Sequence, residues 1–441
     1  MSVAPYPEYK DSGLEWVGKL PISWNTKPLK HLASFINGEA FKPTEWSDEG
    51  TPIIRIQNLN GGDDFNYFQG EIDPRYHVRK GDLLFGWSGN RGTSFGPFVW
   101  LRDGFYFLNQ HIFKVLPNDC DRQWFYWCLK AVTLYVEQQA HGIIGMVHVT
   151  KGTLGAIAVP LPTFEEQSVI AAFLDQETGK IDALVAEQER LIALLKEKRQ
   201  AVISQAVTKG LNSNAPMKDS GIEWLGQVPA HWAVVRIKSI SLLITSGPRG
   251  WSDRITDNGA LFIQSGDLAE DMKLNLETAK RVPLVQDAEA DRAQLRNGDV
   301  VICITGAKTG NVAICDGLAE DAFINQHLSL IRPNALIDGK FMGFVMKADV
   351  GRHHFELSQY GLKQGLSLED VGAAFLALPP LNEQKAILTY LASALRQSDT
   401  LITEATQAIT LLRERRAALI SAAVTGKIDV RSLAPTKQEA A

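Results

Sequence analysis

Residues 10–21 read KDSGLEWVGKLP, and residues 218–229 read KDSGIEWLGQVP. A dodecamer with Asp, Gly, Trp and Pro in one register does not recur by chance. The match continues through Trp24 and Trp232, then through Lys30 and Lys238. The pair marks the start of a duplicated unit, and a repeat sets the architecture before any local reading. Further blocks follow in the same order. RKGDLLF (79–85) answers RNGDVVI (296–302), and NQHIFKVLP (109–117) answers NQHLSLIRP (325–333). PTFEEQ (162–167) answers PPLNEQ (379–384), and LKEKRQAVISQAVTKG (195–210) answers LRERRAALISAAVTGK (412–427).

Within each unit the first ~150 residues carry short β-branched and aromatic runs between Gly-, Asp- and Asn-rich turns, which is strand grammar. Residues 122–136 and 339–348 read as helices packed on that sheet, so each of these domains is expected to be α/β or α+β. After the prolines at 162 and 379 the pattern turns helical for ~40 residues without an internal proline. Helices are expected over 166–207 and 383–424, with an apolar stripe through Leu184, Leu191, Leu195 and Val202 and its copy through Leu401, Ile409, Leu412 and Leu419. A narrow stripe on a helix ~60 Å long calls for a partner helix, and the economical partner is the other copy, antiparallel and related by a pseudo-twofold. The domain plan is 1–162, a first mixed domain; 163–213, a long helix and linker; 214–379, a second mixed domain; and 380–441, a long helix and tail.

The chain has 441 residues, 22% of them charged, and a net charge of −5. That length suits two to four domains, and the composition is that of a globular protein. No apolar run approaches the ~20 residues of a membrane span, and the N-terminus lacks a signal pattern. The four cysteines (Cys120, Cys128, Cys303 and Cys315) form no CxxC pair, so a reducing cytoplasm is expected. The acidic balance argues mildly against a protein that coats nucleic acid unaided. No GxxxxGK[ST] loop and no NPPY- or DPPY-like stretch is present. The adjacent His353 and His354 cannot share one metal face, and Glu197 beside Lys198 fits a solvated helix surface.

Doubled and in fixed order, these blocks resemble the specificity subunit of type I restriction–modification systems over nearly the whole chain. The resemblance implies two target recognition domains, each reading one half of a bipartite double-stranded DNA site. The paired helices would set the unread spacer and dock two modification subunits. It implies a non-catalytic chain holding no cofactor and no metal. S-adenosylmethionine would sit on the modification subunits, with ATP and Mg on the restriction subunits.

Reading base edges takes Arg, Lys, Asn, Gln, Ser or Thr at accessible loops. In the first domain the candidates are Arg55, Gln57, Asn58 and Asn60, then Ser88, Asn90, Arg91 and Thr93. In the second they are Arg249, Trp251 and Arg254, then Gln264 and Ser265, then Lys308, Thr309 and Asn311, with Lys363 and Gln364. Polar residues in Gly-rich turns are common in any protein, so each loop counts for more as a group than residue by residue. The repeated NQH segments and Trp16, Trp24, Trp224 and Trp232 persist while their domains diverge, and are expected to be scaffold. Three rivals stay open: an enzyme with its own catalytic domain, a duplicated protein–protein scaffold without DNA binding, and a DNA-recognition adaptor of another defence system.

Overall fold

The computed structural model describes residues 4–139, 146–359 and 364–433. The chain forms two compact units, one of residues 1–189 and 407–441, the other of residues 190–406. Each unit therefore owns half of each long helix.

In the first unit an antiparallel four-stranded sheet runs in the order Gly96–Val99, Leu83–Gly86, Ile112–Pro117, Ala33–Asn37. A second four-stranded sheet contains Thr51–Ile54 parallel to Tyr106–Leu108. The second unit repeats the plan. Ser241–Ser246, Leu328–Pro333, Val300–Cys303 and Val312–Ile314 make its antiparallel sheet, and Ala260–Ile263 runs parallel to Ala322–Ile324 in a three-stranded one. Strands such as Val300–Cys303 are buried on both faces, which is why they read as continuous apolar runs. Helix Arg122–Gln139 lays Trp124, Phe125, Cys128 and Leu129 into the first core, and helix Gly339–Lys347 lays Phe341, Met342 and Val345 into the second.

The long helices run Phe164–Lys209 and Leu381–Val424. The first starts at a Thr-x-x-Glu capping box. The Glu166 amide donates to Thr163 Oγ1 at 3.3 Å, and the Thr163 amide donates to Glu166 Oε2 at 3.2 Å. The repeated Gln of the EQ pair explains itself. Buried Gln167 accepts from the Asp121 amide at 2.7 Å, and buried Gln384 accepts from the Asp338 amide at 2.8 Å. Each therefore ties the first turn of a long helix to the start of its domain helix. At the far ends Gly210 (φ +73°) and Gly426 (φ +71°) take the left-handed conformation that stops a helix.

Those endings answer why the dodecamer occurs twice. Each copy folds as a hairpin, Tyr9–Asp11 with Lys19–Pro21 and Met217–Asp219 with Gln227–Pro229, which leads into a buried Trp. In the first unit a Cβ on Gly426 would stand 2.5 Å from Pro21 and 3.0 Å from Trp24. In the second a Cβ on Gly210 would stand 3.1 Å from Trp232. The opening motif is thus the seat for a helix end that comes from the other repeat. The tryptophans serve as anchors: Trp24 and Trp232 are buried, and the Trp16 indole donates to the Ala158 carbonyl at 3.1 Å.

The helices pair antiparallel, as anticipated. In the first unit Asp182 bonds Arg416 at 2.8 Å and Glu189 bonds Arg413 at 3.0 Å; in the second Arg199 bonds Asp399. By position in the repeat, Arg199 is the copy-mate of Arg416 and Asp182 that of Asp399. The inward seam is narrower than the sequence stripe. On the first helix it steps through Ile181, Val185, Gln188, Ile192 and Leu195, and on the second through Leu395, Ser398, Ile402, Ala405, Ile409 and Leu412. These alternate four- and three-residue steps are those of a coiled-coil seam. Leu195 and Ile409 are buried, while Val202, Leu412 and Leu419 are half-buried. Leu184, Leu191 and Leu401 are 50%, 41% and 41% exposed, so the expectation that they pair the helices is corrected. Beside each stands an apolar neighbour (Val185, Ile192 or Ile402) that takes the inward position instead.

Candidate nucleic-acid interface

In the first unit the polar loops begin where strands end. The 3-10 turn Ile56–Asn60 follows Thr51–Ile54 and closes on Gly61 at φ +90°. Its interior is consumed by its own architecture. Asn58 is 1% exposed and donates to the carbonyls of Gly62 and Asp64 at 3.1 and 2.9 Å. Asn58 is therefore a loop strut and cannot meet a ligand. Arg55 donates to Asn66 and stacks over Trp46 at 4.7 Å, and Gln57 donates to the Asp64 carbonyl at 3.1 Å while staying exposed. Asn60 is exposed. Arg102, not anticipated from sequence, braces the same turn through the carbonyls of Gly61 and Gly62 and the Asp63 carboxylate.

Ser88 and Asn90 lie on strand Ser88–Asn90, which pairs with Met146–His148. Asn90, Arg91 and Thr93 are exposed and Ser88 is half-buried. The loop is pinned at its crest: the Gly92 amide donates to Glu137 Oε1 at 2.8 Å, and Arg91 donates to the Glu137 carbonyl. The two loops meet at Gly86, where a Cβ would stand 2.3 Å from the Ser94 carbonyl and 3.2 Å from Leu59.

In the second unit Arg249, before the turn Trp251–Arg254, and Arg254, its last residue, are both exposed. Trp251 is 1% exposed and packs edge-on against Phe323 with ring centroids 5.4 Å apart, so its assignment as a contact is withdrawn. Its apolar bulk is what fixes the turn to the sheet. Gln264 and Ser265 are half-buried at the end of Ala260–Ile263. The loop after Val300–Cys303 carries Lys308, exposed, and Thr309, whose hydroxyl donates to the Gly306 carbonyl at 2.7 Å. Lys308 Nζ donates to the Gly266 carbonyl at 3.3 Å and so bridges the two loops. Asn311 does not present its amide outward: Nδ2 donates to the Leu268 carbonyl at 3.1 Å and Oδ1 accepts from Lys347 Nζ at 3.0 Å. Gln364 is exposed beside this loop, whose Ile304 carbonyl accepts from the Leu366 amide at 2.8 Å. Lys363 lies outside the described residues. Burial sets the local titration: it raises Asp267 above the usual carboxylate range and lowers Lys347 below the usual amine range.

The repeated NQH segment divides by face. Asn109 and Asn325 are buried and accept from the amides of His111 and His327 at 3.3 and 3.1 Å, as expected of scaffold. Gln110, His111 and His327 are exposed and Gln326 is half-exposed, so these four join the candidate surface. Strict alternation would put the Asn and the His of the segment on one side, so strand periodicity gave no signal for this division. Among the described residues no group of three or more His, Cys, Asp or Glu could hold a metal ion, and no helix is long and apolar enough to cross a membrane.

A mixed domain built twice on one antiparallel helix pair, its accessible polar groups gathered at loop crests, defines a recognition class of protein. Residues 21–192 and 229–411 match the model of the type I restriction modification DNA specificity domain. The chain belongs to that family, and it is the DNA specificity subunit of a type I restriction–modification system, the non-catalytic kind of subunit. It is 25% identical to the EcoBI specificity subunit of Escherichia coli, over 92% of this chain and 86% of that one. It is 23% identical to the MjaVIII specificity subunit of Methanocaldococcus jannaschii, over 94% and 95%. A chain solved in work on complex assembly and conformational transition of the type I R-M system shares the fold, with a TM-score of 0.67 and 16% identity over 92% of this chain and 98% of that chain.

Proposed function

We propose that each unit reads one half of a bipartite DNA site and that the antiparallel helices set the unread spacer between the halves. The observation that carries this reading is the duplication itself. Matched cores and matched helix ends hold loops whose exposed side chains differ, as two different half-sites demand. In the first unit the contacting set is Gln57, Asn60, Ser88, Asn90, Arg91 and Thr93, with Arg55 behind them. In the second it is Arg249, Arg254, Gln264, Ser265, Lys308, Thr309 and Gln364. The outward Leu184, Leu191 and Leu401 are available to dock the modification subunits, two per chain. Those subunits hold S-adenosylmethionine, and restriction subunits add ATP- and Mg-dependent cleavage. The chain supplies the address and they supply the chemistry.

Helix length gives the test. One heptad inserted after Glu189 and another after Thr406, at equivalent points of the repeat, preserves the seam and adds ~10 Å to each helix. At ~3.4 Å per base pair the methylated sites should keep both half-site sequences and gain about three base pairs of spacer. The measurement is methylation of duplexes that differ only in spacer length, using the chain with its modification subunits. An active variant with the original spacer would end the ruler reading.

A further inference from the structure

Asn311 is a half-buried loop residue whose side chain is turned to the protein and not to the outside. Its amide engages at both ends inside the protein, on the Leu268 carbonyl and on Lys347 Nζ. The Leu268 end anchors the loop that carries Gln264 and Ser265; the residue itself closes the loop that carries Lys308 and Thr309. The Lys347 end leads elsewhere. The Lys347 carbonyl accepts from Gln200 Nε2 at 3.2 Å, and Gln200 belongs to the first long helix. Gln200 also donates to Asp349 Oδ1 at 3.2 Å, and Ser204, one turn on, donates to Asp349 Oδ2 at 2.9 Å. A continuous polar chain thus runs from the long helix, through the C-terminal end of helix Gly339–Lys347, to both loops. It follows the wall of a cleft of about 1110 Å³ lined by Gln200, Lys308, Asn311 and Lys347.

We propose that Asn311 is a positioning residue that locks the two loops of the second unit to the long helix, and so fixes where the second half-site falls relative to the spacer. This rests on the reading that the unit contacts a half-site and the helices set the spacing. A side-chain amide suits the task because it donates and accepts at once across one planar group. Loss of it frees the loops to shift without changing any side chain that faces outward.

The test uses the chain assembled with its modification subunits and duplexes varied at each base of the second half-site and in spacer length by one base pair either way. Asn311→Ala should keep the preferred bases and reduce discrimination against the wrong spacers by roughly tenfold, the scale of one lost hydrogen bond to a charged donor. Gln200→Ala, at the other end of the chain and on a helix that tolerates alanine, should reproduce the effect. The double variant should be no worse than either single one, because links in one chain do not add. A changed base preference in Asn311→Ala would make it a reader, and a uniform loss at every spacer would make it merely structural; either overturns the proposal. Absence of any spacer preference in the wild-type complex would remove the underlying reading instead, and is visible without a variant.

Discussion

The two units meet the same buried demands with different residues. Each has a Gly-Asp strand whose Asp caps the turn before it, accepting from the amide of Arg79 at 2.9 Å or of Arg296 at 2.8 Å. In the first unit the cation opposite is Lys114, 2.9 Å from Asp82, with both side chains partly exposed. In the second it is Arg332, which grips Asp299 through two bonds of 3.0 and 2.7 Å while that carboxylate is almost fully enclosed. The anchor tryptophans differ likewise. Trp232 Nε1 donates to Glu383 at 2.9 Å, whereas Trp24 Nε1 has no hydrogen-bond partner among the described residues. The polar loops are pinned through Glu137 in one unit and through Asn311 in the other. What duplication preserves is the buried anchor at each place; its polar partner is open to change, and at Trp24 Nε1 to loss.

The widest contrast between the units lies at Asp82 and Asp299. Arg332→Ala should cost about 3–5 kcal/mol, because it strands a buried carboxylate, while Lys114→Ala should cost about 1 kcal/mol, since water reaches Asp82. Equal losses in denaturant melts would show that burial does not separate the two pairs. A smaller gap is expected at the anchors. Trp232→Phe gives up a bond to Glu383 and should lose about 1.5–3 kcal/mol more than Trp24→Phe, which gives up ring area alone. Matching melts of the two phenylalanine variants would mean that Trp24 has an equivalent polar partner in solution.

At the loops, Glu137→Ala leaves Asn90, Arg91 and Thr93 in place but unties the Gly92 amide. Methylation of duplexes altered in one half-site or the other should show a roughly fivefold weaker preference at the first and none lost at the second, the worth of about one hydrogen bond. A change at both half-sites would contradict one unit reading one half. The smallest effect lies under the first sheet. Lys130 packs over Phe98 and Tyr126, and burial lowers its amine to about 8, with Arg416 adding to the shift and Glu137 and Asp182 opposing it. Its folded pKa is below the unfolded one, so the unfolded chain holds the proton more tightly and stability should rise with pH between about 8 and 10.5. Lys130→Met should gain up to about 1 kcal/mol at pH 7, net of the lost cation–ring contact, and the gain should fade across that window. A gain independent of pH would assign it to packing alone.

The duplication, the mixed domains and the helix pair were all legible, because each rests on a pattern repeated many times along the chain. Single residues were not. Leu184 and Val185 are both apolar and adjacent, and only contact with a second helix decides which of them turns in. Trp251 sits among Arg249, Gly250 and Arg254, with the composition of a surface loop, yet its turn rolls the indole onto Phe323. Asn58 and Asn311 look like readers because an amide that braces a loop and one that meets a base have the same sequence signature. The unit boundaries were hidden for a different reason: a helix shared between two cores carries no break in composition at the point where its allegiance changes.

That sharing has a consequence for synthesis. Ile420, Ala423, Val424 and Val430 belong to the core that also holds Trp24 and Trp124, so the first unit is closed by a segment made only after the whole of the second unit. At about 5–20 residues per second, the segment 190–406 keeps the ribosome occupied for roughly 10–40 s after residue 189 has been added. Throughout that interval the seat around Pro21 and Trp24 has no helix end to receive. The second unit can close as soon as its own segment emerges, so the nascent chain should mature in the reverse of the order in which it is written.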